Sequence, residues 1–155
     1  MKYKYLLLVV LWASFHTGLK AQTKPKETKI APYKVPKMST LLGQYKDSVV
    51  LPRQDVLKAL ALPLRVVDEK GVVYVVTNYQ VAYKQMTVSE TEDGKAIPAT
   101  SLSSQRFSAT PISAKWLDFL NERLKKGEEV FFFDIIAKDP KGRVMYAPNL
   151  KIISL

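Results

Sequence analysis

The run VVYVVTNYQVAYKQMTV, Val72 to Val88, constrains the fold more than any other part of the chain. Val73, Val75, Thr77, Tyr79, Val81 and Tyr83 recur in it with a period of two. Alternating β-branched and aromatic residues describe a strand. The run is far longer than the usual strand of about 5–6 residues. The sequence therefore predicts a bulge or bend near Asn78, or a strand that contributes to two sheets.

Three short polar turns punctuate this part of the chain: Asp68-Glu69-Lys70-Gly71, Glu92-Asp93-Gly94-Lys95 and Asp139-Pro140-Lys141-Gly142. Asp or Pro ahead of Gly presets a tight reversal, so each turn reads as a hairpin connection between flanking strands. Leu64–Val67 precedes the first turn. The third joins Val130–Lys138 to Arg143–Tyr146, and a last strand lies in Leu150–Ile153. Within Val130–Lys138, strict alternation puts Phe131, Phe133, Ile135 and Ala137 on one face and Val130, Phe132, Asp134 and Ile136 on the other. Both faces are largely apolar, which predicts a strand at the centre of the core, either covered on both sides or in the middle of a sandwich whose outer face is roofed by a helix.

One good helix is expected in TPISAKWLDFLNERLKKG. Thr110 is placed to cap it and Pro111 suits its first turn, while Ile112, Trp116, Phe119, Leu120 and Leu124 share a face and Gly127 closes it. A shorter helix is expected over Pro52–Leu60, and Ala99–Ser108 reads as a Ser-rich connection. Hairpins with one or two peripheral helices give a mainly β fold, a β-sandwich.

The first residues, MKYKYLLLVVLWASFHTGLKAQ, carry Lys2 and Lys4 ahead of the apolar run Leu6–Ala13, and a small residue, Ala21, ahead of Gln22. This is the pattern of a secretory signal peptide over 1–21; the competing reading is an uncleaved anchor. Cleavage leaves 134 of the 155 residues and removes His16, the only histidine, from a chain that has no cysteine. The remainder lacks an imidazole base, a thiolate and the usual zinc ligands, and folds without disulfides.

Three of the ten net positive charges leave with Lys2, Lys4 and Lys20, and four more lie in 22–38, a Lys/Pro-rich segment that reads as a tether. The body, 39–155, keeps three, too few for a nucleic-acid-binding face. The tether allows weak contact with an anionic surface, and no transmembrane span remains after the leader is removed.

The order of parts in the C-terminal half resembles the C-terminal domain of the gliding-motility protein GldM. The matching segments are Arg106-Phe107-Ser108, Leu124–Gly127, Phe132-Phe133-Asp134-Ile135-Ile136-Ala137, Asp139–Gly142 and Pro148–Ile153. Upstream, Tyr74–Val81 resembles that family's tyrosine-containing strand and Leu57–Leu64 its preceding helix, so coverage runs from about Leu41 to Leu155. Phe133 and Ile136 are apolar where the family often carries polar residues. The resemblance implies an immunoglobulin-like β-sandwich without catalytic activity or cofactor, acting as a protein-binding module in the periplasm, with envelope proteins as partners. Gliding motility or type IX secretion is implied by analogy alone.

Glu90, Glu92 and Asp93 crowd one turn but lack the spacing of a calcium loop, and Glu128 and Glu129 are expected to face water. No Gly-rich phosphate loop or serine nucleophile elbow is present. The candidate contact residues are Tyr79, Tyr83 and Tyr146, because strand tyrosines bring area to an interface at little entropic cost. A secreted inhibitor or ligand-binding module, and a hydrolase working with carboxylates alone, are the competing functions.

Overall fold

The computed structural model describes residues 33–155. Both the leader and most of the tether lie outside the described residues. Residues 33–37 have no regular structure, and the first strand opens at the buried Met38, the last residue of the expected tether.

Among the described residues there are nine strands and two short helices: β1 Met38–Leu42, β2 Tyr45–Lys46, β3 Ser48–Leu51, α1 Arg53–Leu60, β4 Leu64–Asp68, β5 Val73–Glu90, β6 Ala96–Phe107, α2 Ala114–Arg123, β7 Glu129–Lys138, β8 Val144–Ala147 and β9 Leu150–Ser154. Hydrogen bonding links the strands in the order β2-β1-β4-β5-β7-β9-β3, with β6 beside β5 and β8 beside β7. Every pair is antiparallel except β3 with β9. The sheet curls until its ends approach one another: Asp47 alone separates β2 at one end from β3 at the other, and Thr40 Oγ1 of β1 donates to Pro148 O across the gap. The result is a mainly β, nearly closed barrel or sandwich-like arrangement.

The long alternating run is one continuous strand, and both devices expected of it are present. Near its start β5 pairs with β4 through Val73 and Tyr74; from Tyr79 to Glu90 the same edge pairs with β6. Between these halves the register against β7 shifts on either side of Asn78. Thr77 is an extra residue on β5, and its hydroxyl donates to Ile136 O. On β7, Asp134 and Ile135 stand opposite the single residue Tyr79. Asp134 takes a φ of 48°, a left-handed conformation that Asp tolerates better than most residues.

That bulge corrects the expected alternation in β7. Val130 and Phe132 point into the core, but beyond Asp134 the parity changes, so Ile135 and Ala137 are buried with them. Phe131, Phe133 and Ile136 are only half-buried on the opposite face, so the cover expected on that side is incomplete among the described residues. Phe132 is at the core's centre, and its burial contributes about 1.5–3 kcal/mol.

Three further expectations are corrected. Ala99–Ser108 is not a connection, because β6 runs through it and pairs residue for residue with β5. Its Ser and Thr side chains hide the strand from a pattern search, yet at an exposed edge they need no buried face. The principal helix is shorter than expected and starts after Ser113, whose side chain makes no capping hydrogen bond. Thr110 does not cap it, since its hydroxyl accepts from Leu64 N at 2.5 Å. Glu128 does not face water: it is 3% exposed. The short helix over Arg53–Leu60 follows Pro52 as expected. Arg53 reaches across to α2, where Nε donates to Leu124 O at 2.9 Å and Nη2 to Asn121 O, satisfying carbonyls that the end of a helix leaves open.

Candidate interaction surface

The three candidate tyrosines fall into two environments. Residues 79, 81 and 83 of β5 all point inward, because a strand alternates and α2 covers that side. Tyr79 is fully buried, stacked between Phe107 at 5.5 Å and Phe132 at 6.1 Å, and its hydroxyl donates to Ala109 O at 3.0 Å. Tyr83 is fully buried edge-on to Phe119 at 5.9 Å. Its hydroxyl donates to Glu128 Oε2, while Met86 N and Lys125 N donate to the same carboxylate at 3.2 and 2.7 Å. Neither ring reaches the surface, so the contact role expected of Tyr79 and Tyr83 is corrected to a core role.

Burial pushes both tyrosines above their ordinary value of 10, and at Tyr83 the hydrogen bond and negative charge of Glu128 push the same way. Each therefore stays protonated at neutral pH and donates. The Glu128 carboxylate thus holds the segment after α2 against β5 and accepts from the backbone of Met86, two residues past the end of the ladder with β7.

Tyr146 is different. Its neighbours on β8, Met145 and Ala147, face the core, which turns the Tyr146 ring outward at 74% exposure. The register shows what lies beside it. Tyr146 is opposite Ile136, which is opposite Asn78; two residues along, Val144 is opposite Lys138, which is opposite Val75. Val75 is 67% exposed, and Val73 and Val144 are also exposed. An antiparallel sheet with a solvated outer face normally carries polar residues at these positions. Here Val73, Val75, Ile136, Val144 and Tyr146 make a largely apolar patch across β5, β7 and β8, interrupted by Asn78 and the exposed Lys138, and beyond the exposed Asp134 the half-buried Phe133 and Phe131 follow along β7.

Polar groups stand within and beside the patch. Gln80 Nε2 donates to Asp134 Oδ2 at 2.7 Å, the Lys151 ammonium lies 5.8 Å from the Phe131 ring centre, and Lys84 is 3.9 Å from Glu129. An apolar group carrying an exposed aromatic side chain, with polar groups within and beside it, is suited to contact with a protein surface. Of the candidate tyrosines only Tyr146 lies on this exposed face, and the sequence reading did not single out Val73, Val75 or Val144 beside it. The available signal was that Val72-Val73 and Val75-Val76 are apolar at both parities, so one member of each pair had to face outward.

Among the described residues, no helix is long and apolar enough to cross a membrane, and no three acidic, histidine or cysteine side chains converge to hold a metal ion. The chain matches no protein-family model and none of the curated proteins.

Proposed function

We propose that the chain is a non-enzymatic protein-binding module of the cell envelope, exported behind a cleaved leader and a Lys/Pro-rich tether. Its body is then an immunoglobulin-like sandwich of the kind found at the C-terminus of GldM, acting in the periplasm. The observation that carries this reading is the exposed apolar group of Val73, Val75, Val144 and Tyr146 on the outer face of the sheet. Support for the family comes from the order of the segments from Arg106 to Ile153, and support for the sandwich from two leaves that share β5 around one core.

Co-purification from envelope fractions tests the reading. The intact chain brings down an envelope protein in stoichiometric amount, and the doubly substituted V75K/Y146D chain, still folded by circular dichroism, does not. Export past the outer membrane with no stable envelope partner would favour a secreted inhibitor or ligand-binding module instead. Hydrolase activity from a preparation free of partners would overturn the reading.

A further inference from the structure

Strand β6 leaves one edge open, and that edge is unusually permissive. Among the described residues it pairs only with β5, and ten consecutive residues, Ala96 to Gln105, carry no charge. Proteins commonly protect such an edge with lysines, prolines or bulges; here Pro98 is the sole device of that kind. The hairpin turn fixes which backbone groups face outward. Thr91 N donates to Lys95 O at 2.9 Å, so Thr91 and Lys95 are a hydrogen-bonded pair, and alternate pairs along the ladder follow suit. The even-numbered residues of β6 therefore turn their N–H and C=O groups to the open edge. Pro98, which has no N–H, occupies one of these positions, where a proline removes no bond to β5. Ala96, Thr100, Leu102, Ser104 and Arg106 keep outward donors.

Beyond Lys84 and Glu129, β5 no longer pairs with β7, so the hairpin projects as a two-stranded ribbon. Met86 and Leu102 lie on its outer face, 61% and 64% exposed.

We infer that this edge joins a second copy of the chain, β6 to β6, antiparallel about a two-fold axis. A strand that meets itself places like residues symmetrically, which the uncharged stretch permits without repulsion. One register satisfies the remaining charges. With Ser101 on the axis, Thr100 of each copy faces Leu102 of the other, and each Arg106 comes opposite Ala96 of the second copy. Ala96 is itself opposite Glu90, so each Arg106 lies two strands from an acidic side chain on the same face. Sliding the pairing by two residues to put Leu102 on the axis would set Arg106 against Pro98 and its partner Val88, with no acidic residue in that row. In the first register Met86 and Leu102 of both copies form one apolar cluster across the axis. The dimer leaves the Tyr146 patch free and does not depend on what that patch binds.

Disulfide trapping tests both the contact and its register, because the chain has no cysteine of its own. Ser101 and its mate form a non-hydrogen-bonded pair with Cα atoms about 4.5 Å apart, inside the roughly 4.4–6.8 Å that a disulfide spans. Two Ser103 positions are about 14 Å apart. In the full chain, S101C is expected to form a covalent dimer under mild oxidation and S103C to remain uncoupled. By sedimentation, the unsubstituted chain is dimeric. L102K weakens the dimer on the order of a hundredfold, and T100P also weakens it by removing an outward donor while sparing the bonds to β5. A monomer at all accessible concentrations, coupling through S103C in place of S101C, or a dimer indifferent to L102K and T100P would each overturn the inference. Should either of those two substitutions unfold the chain, the cysteine pair still decides it.

Discussion

The bond between Tyr83 and Glu128 offers a direct measure of how the core tolerates a buried carboxylate. Glu128 is 3% exposed, no basic side chain lies within salt-bridge distance of it among the described residues, and it accepts from Tyr83 Oη, Met86 N and Lys125 N. Tyr83→Phe removes one of the three donors and adds no volume. A hydrogen bond to a charged group contributes about 1.5–3 kcal/mol, and the two remaining donors cannot move to replace it because both are backbone groups. Glu128→Gln keeps the shape but turns an NH2 group toward groups that are all donors, and it costs a similar amount. The double variant Y83F/E128Q loses less than the two single losses together, since either change already breaks the shared bond, and the coupling equals about 1.5–3 kcal/mol. Urea unfolding followed by tryptophan fluorescence measures all four proteins; for a slope of about 1–3 kcal/mol/M the single variants shift the midpoint by roughly 1 M. A coupling below about 0.5 kcal/mol would refute the claim that the hydroxyl compensates the buried carboxylate.

The native values of Tyr79 and Tyr83 lie above the ordinary 10, so their contribution to stability is complete below pH 10 and falls as pH rises toward those native values. Urea midpoints measured from pH 9 to 12 should decline, and Y79F and Y83F should each flatten the decline. Arg53→Lys keeps the charge but loses the fork that holds Asn121 O and Leu124 O; a loss of about 1–2 kcal/mol is expected in thermal or urea unfolding, and no loss would show that α2 does not need this cap. The Ser154 hydroxyl is buried without a hydrogen-bond partner among the described residues, so Ser154→Ala should leave stability unchanged or raise it by about 1 kcal/mol, and a clear drop in the melting temperature would contradict that.

Much of the fold was legible because β5 announces itself. Its period-two pattern, its excess length and the glycine turns on either side led to a hairpin-rich fold with a break near Asn78. What stayed hidden has specific physical causes. Strand β6 is built from Ser, Thr and Ala, and only its pairing with β5 makes it a strand. The parity change in β7 depends on the left-handed conformation of Asp134, which residue types alone do not announce. Glu128 reads as a solvated charge until the fold brings Tyr83 and two backbone N–H groups around it. Strands β1 to β3, Met38 to Leu51, are too short to show a period. Of the exposed apolar residues on the outer face, only Tyr146 was singled out in the sequence. Tyr79 and Tyr83 share its residue type and strand setting, and the helix α2, packed over one side of β5, separates them from it.

Photo-cross-linking in living cells asks most directly whether the outer face holds a partner. A photoreactive residue in place of Tyr146 or Val75 should yield the same discrete adduct with one envelope protein, while the same residue at Glu122, on the exposed side of α2, should not. Adducts of equal yield at all three positions, or none at Tyr146 and Val75, would contradict a binding role for the face.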